Sequence, residues 1–301
     1  MTLLEKYQTD HKKSIDCPSD YWDKRSKSLI TWDKPYSSTF GGSLEDGTIE
    51  WFKNGKLNAC YNCVDRHVED GSGGNVAIIY EGDEPSNVRK LTFLQLQERV
   101  SQYANAMISQ GVKKGDIVTI YMPMVPEVAI TMLACARIGA VHSVVFAGFS
   151  KNAISERIKS SNSKFVFTAD YGMRGGKKIP LKTAVDEAIA MDGVSDIVSK
   201  VFVLDRFDSY KDGNGWVEGR DIDLEKLADS QRPVCPCVSM DSEDPLFLLY
   251  TSGSTGRPKG LVHTTGGYLT YAAASTETVF DLKKGDVYAC VADAGWITGH
   301  T

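Results

Sequence analysis

The sequence of 301 residues has no apolar run long enough to span a bilayer, which excludes a membrane-spanning helix. Its first stretch, MTLLEKYQTDHKKSID, has no apolar segment of the kind a secretory signal needs. That stretch also contains acids and no arginine, which argues against a transit peptide. No internal repeat and no low-complexity tract is present. A net charge of -5 gives no global attraction for nucleic acid or for an anionic membrane. Cysteine is sparse, odd in number and scattered: seven residues, not a disulfide framework. Cys60-x-x-Cys63 and Cys235-Pro-Cys237 are close pairs, but a closed zinc site needs two well-spaced pairs, and Cys-x-Cys is poorly matched to that. Buried or loop thiols, with no metal, are the expectation. Together these absences lead us to expect a cytoplasmic protein with neither nucleic-acid nor membrane partners.

What is present is ordinary globular composition, 42% hydrophobic and 24% charged, with chain enough for a large core. Residues 1–70 read as an irregular extension anchored by Tyr21, Trp22, Trp32, Tyr36, Phe40, Trp51 and Phe52. GSGGN (71–75) is a turn, and VAIIYEG and VRKLTF read as two strands around a polar turn at Asp83–Asn87. From there strand and helix alternate. Thr92 and Gln95 form a capping box ahead of a helical face made by Phe93, Leu96, Val100, Tyr103, Ala104 and Met107, closed by Gly111. Strands are read at 116–122, 141–146, 164–169 and 200–204, and helices open at Pro126, Ser150 and Pro180. This is an α/β fold of mostly parallel sheet flanked by helices. Residues 206–244 read as a polar surface excursion. PLFLLYT (245–251) is apolar almost throughout, as a strand buried on both faces should be, and GLVH, a helix near 267–278 and DVYACVAD (286–293) follow.

The strand at 245–251 runs directly into YTSGSTGRPKG, starting at Tyr250. A loop at the carboxyl edge of a parallel sheet is where α/β proteins hold ligands. Gly253 and Gly256 let successive backbone N–H groups turn toward one anion. Thr251, Ser252, Ser254 and Thr255 add hydroxyl donors, and Lys259 adds charge. Such a set suits a polyphosphate. It is not a Walker A loop: counting from Gly253, the sixth position is Pro258, and Lys259 is followed by Gly260.

TSGSTGRPKG resembles the phosphate-binding signature of the adenylate-forming superfamily. LNACYNCVDRH (57–67), YMPMVPEVAITMLACARIGAVHSVVF (121–146), FAGFS (146–150), RGGKKIPLK (174–182), GLVHTTGGYL (260–269) and DAGWITGH (293–300) resemble the AMP-forming acetyl-CoA synthetases within it, from about Asp20 onward. The resemblance implies a ligase that joins acetate to CoA. Acetate attacks the α-phosphate of ATP, with Mg²⁺ on the phosphates, and CoA then attacks the acetyl-adenylate. It implies that Thr251, Ser252, Gly253, Ser254, Thr255, Gly256 and Lys259 grip the phosphates, with Lys259 and Thr251 in the catalytic set. It implies CoA contacts from Phe146, Ala147 and Gly148, and from Arg174, Gly175, Gly176 and Lys177, the last standing where the family has a second arginine. It implies an acyl pocket bordered by Trp296, Ile297 and Thr298, with Thr298 also beside the pantetheine. In the family Cys60 and Cys63 bind no metal, and His263 is no general base; His263 and His300 read as structural. The resemblance divides the chain into an N-terminal extension (1–70) and part of the adenylate-forming domain (71–301). It places the ribose-binding aspartate and the small C-terminal domain beyond Thr301, so these residues are expected to be an N-terminal half, inactive alone. A propionyl-CoA synthetase, or a non-catalytic nucleotide- or CoA-binding module, are the alternatives.

Overall fold

The computed structural model describes residues 2–83, 86–251 and 258–301. Residues 1–70 are less irregular than expected, because two helices open the chain: α1 (Leu3–Asp16) and α2 (Pro18–Leu29). A Thr2–Glu5 capping box starts α1, and Pro18 takes the first helical position of α2, where its missing N–H costs nothing. Helix α1 carries Leu4, Tyr7 and Ile15 at near-helical spacing, yet that stripe faces solvent. Strands β1 (Ser38–Gly41) and β2 (Glu50–Lys53) form a hairpin, and β3 (Lys56–Leu57) follows. Trp32, Tyr36, Trp51 and Phe52 pack ring to ring there, so the expected aromatic anchor holds.

The hairpin β4 (Val76–Glu81) and β5 (Val88–Thr92) matches the two expected strands; residues 84 and 85 of the turn between them lie outside the described set. Then come α3 (Phe93–Ser109), β6 (Ile117–Tyr121), α4 (Pro126–Ile138), β7 (Val141–Val144), α5 (Lys151–Ser161) and β8 (Phe165–Ala169). The Thr92–Gln95 capping box forms as read, with Thr92 Oγ1 accepting from Gln95 N at 3.2 Å and Gln95 Oε1 accepting from Thr92 N at 2.9 Å. Gly139 closes α4 with φ +75°, a left-handed turn that a β-carbon would oppose.

A short hairpin, β9 (Tyr171–Arg174) and β10 (Lys177–Pro180), precedes α6 (Leu181–Ile189) and β11 (Lys200–Leu204). The excursion after it is more structured than its polarity suggested. It contains β12 (Asp221–Asp223), α7 (Leu224–Asp229) and β13 (Met240–Asp241), which pairs with β3. Charge fixes it in place: the fully buried Lys182 lies 2.7 Å from both Asp186 and Asp221. Strands β14 (Pro245–Thr251) and β15 (Lys259–Thr264), α8 (Thr265–Thr278) and α9 (Ile297–His300) complete the chain. DVYACVAD (286–293) forms no strand; Val287, Tyr288 and Val291 are exposed and pair with no described strand.

The main sheet has seven strands in the order β12-β11-β8-β6-β7-β14-β15, parallel throughout except for β15. The α/β reading therefore holds. The order also locates a crevice. The chain leaves β6 and moves one way to β7, then crosses back over β6 to reach β8. Right-handed crossovers send those two connections to opposite faces of the sheet. The crevice between them opens at the carboxyl ends of β6 and β7, at Tyr121–Met124 and Val145–Phe149.

Candidate active site at the carboxyl edge of the sheet

Strand β14 is buried from Leu246 to Leu249 because β7 flanks it on one side and β15 on the other. Its end emerges at Thr251. The chain returns antiparallel, so Thr251 and Lys259 are register partners at the base of a long hairpin, both exposed. One hydroxyl and one ammonium are thus placed opposite each other at the carboxyl edge. Ser252, Gly253, Ser254, Thr255 and Gly256 lie outside the described residues.

The segment Phe146–Gly148 occupies the crevice. The hydroxyl of Tyr121, at the end of β6, lies 3.0 Å from the Ala147 carbonyl and 2.9 Å from that of Phe149, and donates to this pair. Burial pushes that phenol up to about 12, so it stays a donor. The Phe146 ring folds over Gly148 so closely that a β-carbon there would meet it at 2.4 Å. Gly295 packs on the Phe146 backbone, where a β-carbon would stand 2.7 Å from Phe146 N. These two contacts bring DAGW against FAGF. Trp296 continues the contact, edge-on to Phe149 at 6.3 Å.

The three expected acyl-pocket residues do not share one surface. Trp296 faces Phe149. Ile297 instead borders a second cavity of about 600 Å³, walled by Trp22, Trp51, His263, Tyr268 and Tyr271. Thr298 is exposed, and its carbonyl accepts from the Cys290 thiol at 3.5 Å.

Arg174 and Lys177 are register partners across the β9–β10 hairpin, with Gly175 (φ +55°) and Gly176 (φ +73°) forming its two-residue turn. Positive φ at both positions makes this a type I′ turn, which matches the twist of the flanking strands and demands residues such as glycine. The two cations therefore stand side by side at the hairpin tip. They make no hydrogen bond or ion pair with the other candidate residues among those described. Beside them a cleft of about 540 Å³ opens at the carboxyl ends of β6 and β11, bounded by Met124, Met173, Arg206 and Phe207 and by the Arg89–Glu127 ion pair (2.8 Å).

The histidines form a stack around Phe247. His263 and His300 lie 4.4 and 3.9 Å from its ring centre, and His142, which sequence reading did not single out, joins them. The Nε2 atoms of His142 and His300 are 2.8 Å apart, and His300 Nδ1 is 3.2 Å from the Tyr268 hydroxyl, itself 2.9 Å from Thr301 Oγ1. The Nδ1 of His142 is buried without a partner. A bare lone pair left unpaired costs less than an orphaned N–H. That assigns the protons: His142 donates to His300, His300 to Tyr268, and Tyr268 to Thr301. Burial pushes His142 down, and His300 down to about 3, so both are neutral near pH 7. The stack packs and positions; Phe247 and His263 share a strand face with Thr251 and Lys259 but stand four residues back along the same strands.

Sequence reading also missed Arg157. It is buried on the inner face of α5 between Ile154 and Ile158, with its guanidinium 4.8 Å from the Phe149 ring and 5.2 Å from that of Tyr250. It ties the Phe146–Phe149 turn to the residue preceding Thr251. A cation at the apolar spacing of ISERI was the available signal.

Residues 64–301 match the family described as AMP-binding enzyme, and residues 7–63 match that described as acetyl-coenzyme A synthetase N-terminus. The acetyl-coenzyme A synthetase of Psychromonas ingrahamii is 51% identical over 99% of this chain and 45% of its own length. The enzymes of the same name from Shewanella sediminis and Yersinia pestis are 53% and 50% identical, again over 99% of this chain and 45% of their lengths. The chain thus spans less than half the length of these curated relatives. A hairpin at the carboxyl end of a buried strand, a turn seated in the sheet's crevice and these matches agree: the chain belongs to the AMP-binding enzyme family, with an N-terminal segment of the acetyl-coenzyme A synthetase type.

Proposed function

We propose that this chain provides the phosphate-holding and CoA-facing parts of an acetate–CoA ligase, converting ATP, acetate and CoA into acetyl-CoA, AMP and diphosphate through an acetyl-adenylate. The observation that carries this reading is the pairing of Thr251 with Lys259 at the carboxyl edge of β14. An ammonium and a hydroxyl held on a strand pair can orient the leaving diphosphate and stabilise the charge it gains as the α-phosphate is attacked. Mg²⁺ enters with the nucleotide as the counter-ion of its phosphates. Ser252, Gly253, Ser254, Thr255 and Gly256 complete the loop in this reading.

CoA binds, in the same reading, along the Phe146–Gly148 turn. Its 3′-phosphate is met by Arg174 and Lys177 on the Gly175–Gly176 turn. Two adjacent exposed cations suit a dianion better than any apolar group. Trp296, Ile297 and Thr298 border the acyl and pantetheine region.

The test is ATP–pyrophosphate exchange by the full-length gene product, with acetate and with propionate. Acetate-dependent exchange at the higher kcat/KM supports the reading. Faster exchange with propionate would reassign the acid, and nucleotide binding with no acid-dependent exchange would mark a binding module.

A further inference from the structure

Away from this edge, two cysteines far apart in sequence converge on one carboxylate. Cys60 and Cys63, close in sequence, do not: Cys60 is fully buried, while Cys63 is exposed. Cys60 instead meets Cys237, from the irregular segment before β13. Both thiols reach Asp65 Oδ2, at 4.0 and 3.8 Å, and the ligand atoms of the three residues all lie within 4.8 Å of one another. A cation already occupies this cluster. Arg137 pairs with Asp65 at 2.9 and 2.7 Å and stands 3.1 Å from the Cys60 sulfur. Its guanidinium takes the place a metal ion would need, so the cluster is not a metal site. Its charge offsets part of the cost of negative charge on that sulfur, although burial still holds the Cys60 thiol well above its ordinary range.

We propose that Cys60 and Cys237 are a thiol-oxidation site, closed to a disulfide by a hydroperoxide. Cys237 is partly exposed and Cys60 has no exposure, so the oxidant reaches Cys237 first. The Cys237 sulfur, giving up its proton, attacks one peroxide oxygen, the O–O bond breaks, and the departing hydroxide or alkoxide takes that proton and leaves as water or an alcohol, giving the sulfenic acid. The Cys60 sulfur then attacks the Cys237 sulfur. The S–O bond breaks, and the departing hydroxide takes the Cys60 proton and leaves as water. Two thiols are oxidised and one peroxide is reduced. The sulfurs must close to about 2.05 Å, a movement that the irregular chain around Cys237 can supply more readily than the core around Cys60. The bridge ties the buried helical turn at Cys60 to the lead-in of β13.

The test is titration of the chain with hydrogen peroxide, followed by alkylation under denaturing conditions and peptide mass analysis without reductant. A background with Cys17, Cys63 and Cys290 replaced by serine removes the exposed thiols. The expected product is one cross-linked peptide pair containing Cys60 and Cys237, lighter than the separate peptides by two hydrogens and separated again by dithiothreitol. Cys237→Ser, at a partly exposed position, should leave Cys60 fully alkylatable at the same peroxide dose. A bridge between Cys235 and Cys237, or Cys237 carried to sulfinic acid with Cys60 still alkylatable, would overturn the proposal.

Discussion

Two hairpins rise from the same edge of the sheet, and each carries a pair of polar partners flanking its loop. In β9–β10 the partners are Arg174 and Lys177, and only two glycines separate them. In β14–β15 they are Thr251 and Lys259, separated by seven residues. In the short hairpin the glycines are explained by the turn itself: both have positive φ. In the long one the seven intervening residues, more than a two-residue turn needs, hold two glycines, three hydroxyls and an arginine. One loop is therefore specified by backbone geometry; under the proposed function the other is specified by the phosphates it would hold.

That contrast is broken most severely by removing the cation of the long hairpin. Lys259→Ala in the full-length gene product should lower acetate-dependent pyrophosphate exchange by about 10²-fold or more. Thioester formation from supplied acetyl-adenylate should change far less, since the diphosphate has already left. Equal losses in both half-reactions would remove Lys259 from the phosphate site.

The hairpins also rest on different supports. Beneath the short one, Gly172 packs on Leu181 and Pro123. Beneath the long one lie Phe247, His263, His142 and His300. A histidine whose folded pKa is depressed contributes stability that is whole above its unfolded value, near 6.5, and is lost as pH falls toward the folded value, about 3 for His300. Taking pH from 7 to 4.5 should therefore cost about 2–3 kcal/mol at His300 alone. His300→Asn should flatten the acid limb of the Tm–pH curve relative to the parent. Superimposable acid limbs would mean that His300 is not held neutral by the stack.

A smaller effect is expected at the short hairpin. Arg174→Ala should raise the KM for CoA by about tenfold or more, the worth of a charge-assisted contact of about 1.5–3 kcal/mol. The KM for dephospho-CoA should hardly move. If both thiols suffer alike, Arg174 does not meet the 3′-phosphate.

Much of this was legible in the sequence. The Thr92 capping box, Pro126 with Gly139 around α4, and the apolar run of β14 are local signals that tertiary packing had no reason to override. What escaped reading depended on distant partners. Helix α1 has a stripe that no core covers, so its spacing did not mark burial. VYACVA is apolar throughout, as a strand buried on both faces would be, but has no described neighbour to pair with. Cys60 was matched to Cys63 by spacing, whereas the fold brings it Cys237 from far downstream. Lys182 and Arg157 are helix cations that the reading passed over; ion pairing in one case and aromatic stacking in the other make their burial tolerable. Tyr121 and His142 are visible as site-building residues only once the strand order places the crevice.

The smallest predicted effect sharpens the contrast furthest. If the short turn matters only as geometry, its glycines are replaceable by residues that accept positive φ. A β-carbon at Gly176 would meet nothing within 4 Å, so crowding is not the obstacle; the φ of +73° is. Valine at that φ should cost about 1–2 kcal/mol and open the turn, whereas asparagine tolerates the left-handed region far better. Gly176→Val should therefore splay Arg174 from Lys177 and raise the KM for CoA severalfold, with pyrophosphate exchange unchanged. Gly176→Asn should stay near the parent in both. Equal damage from valine and asparagine would show that a ligand, not the turn, requires the bare backbone at Gly176. In that event the short hairpin would belong with the long one, as a loop specified by what it holds.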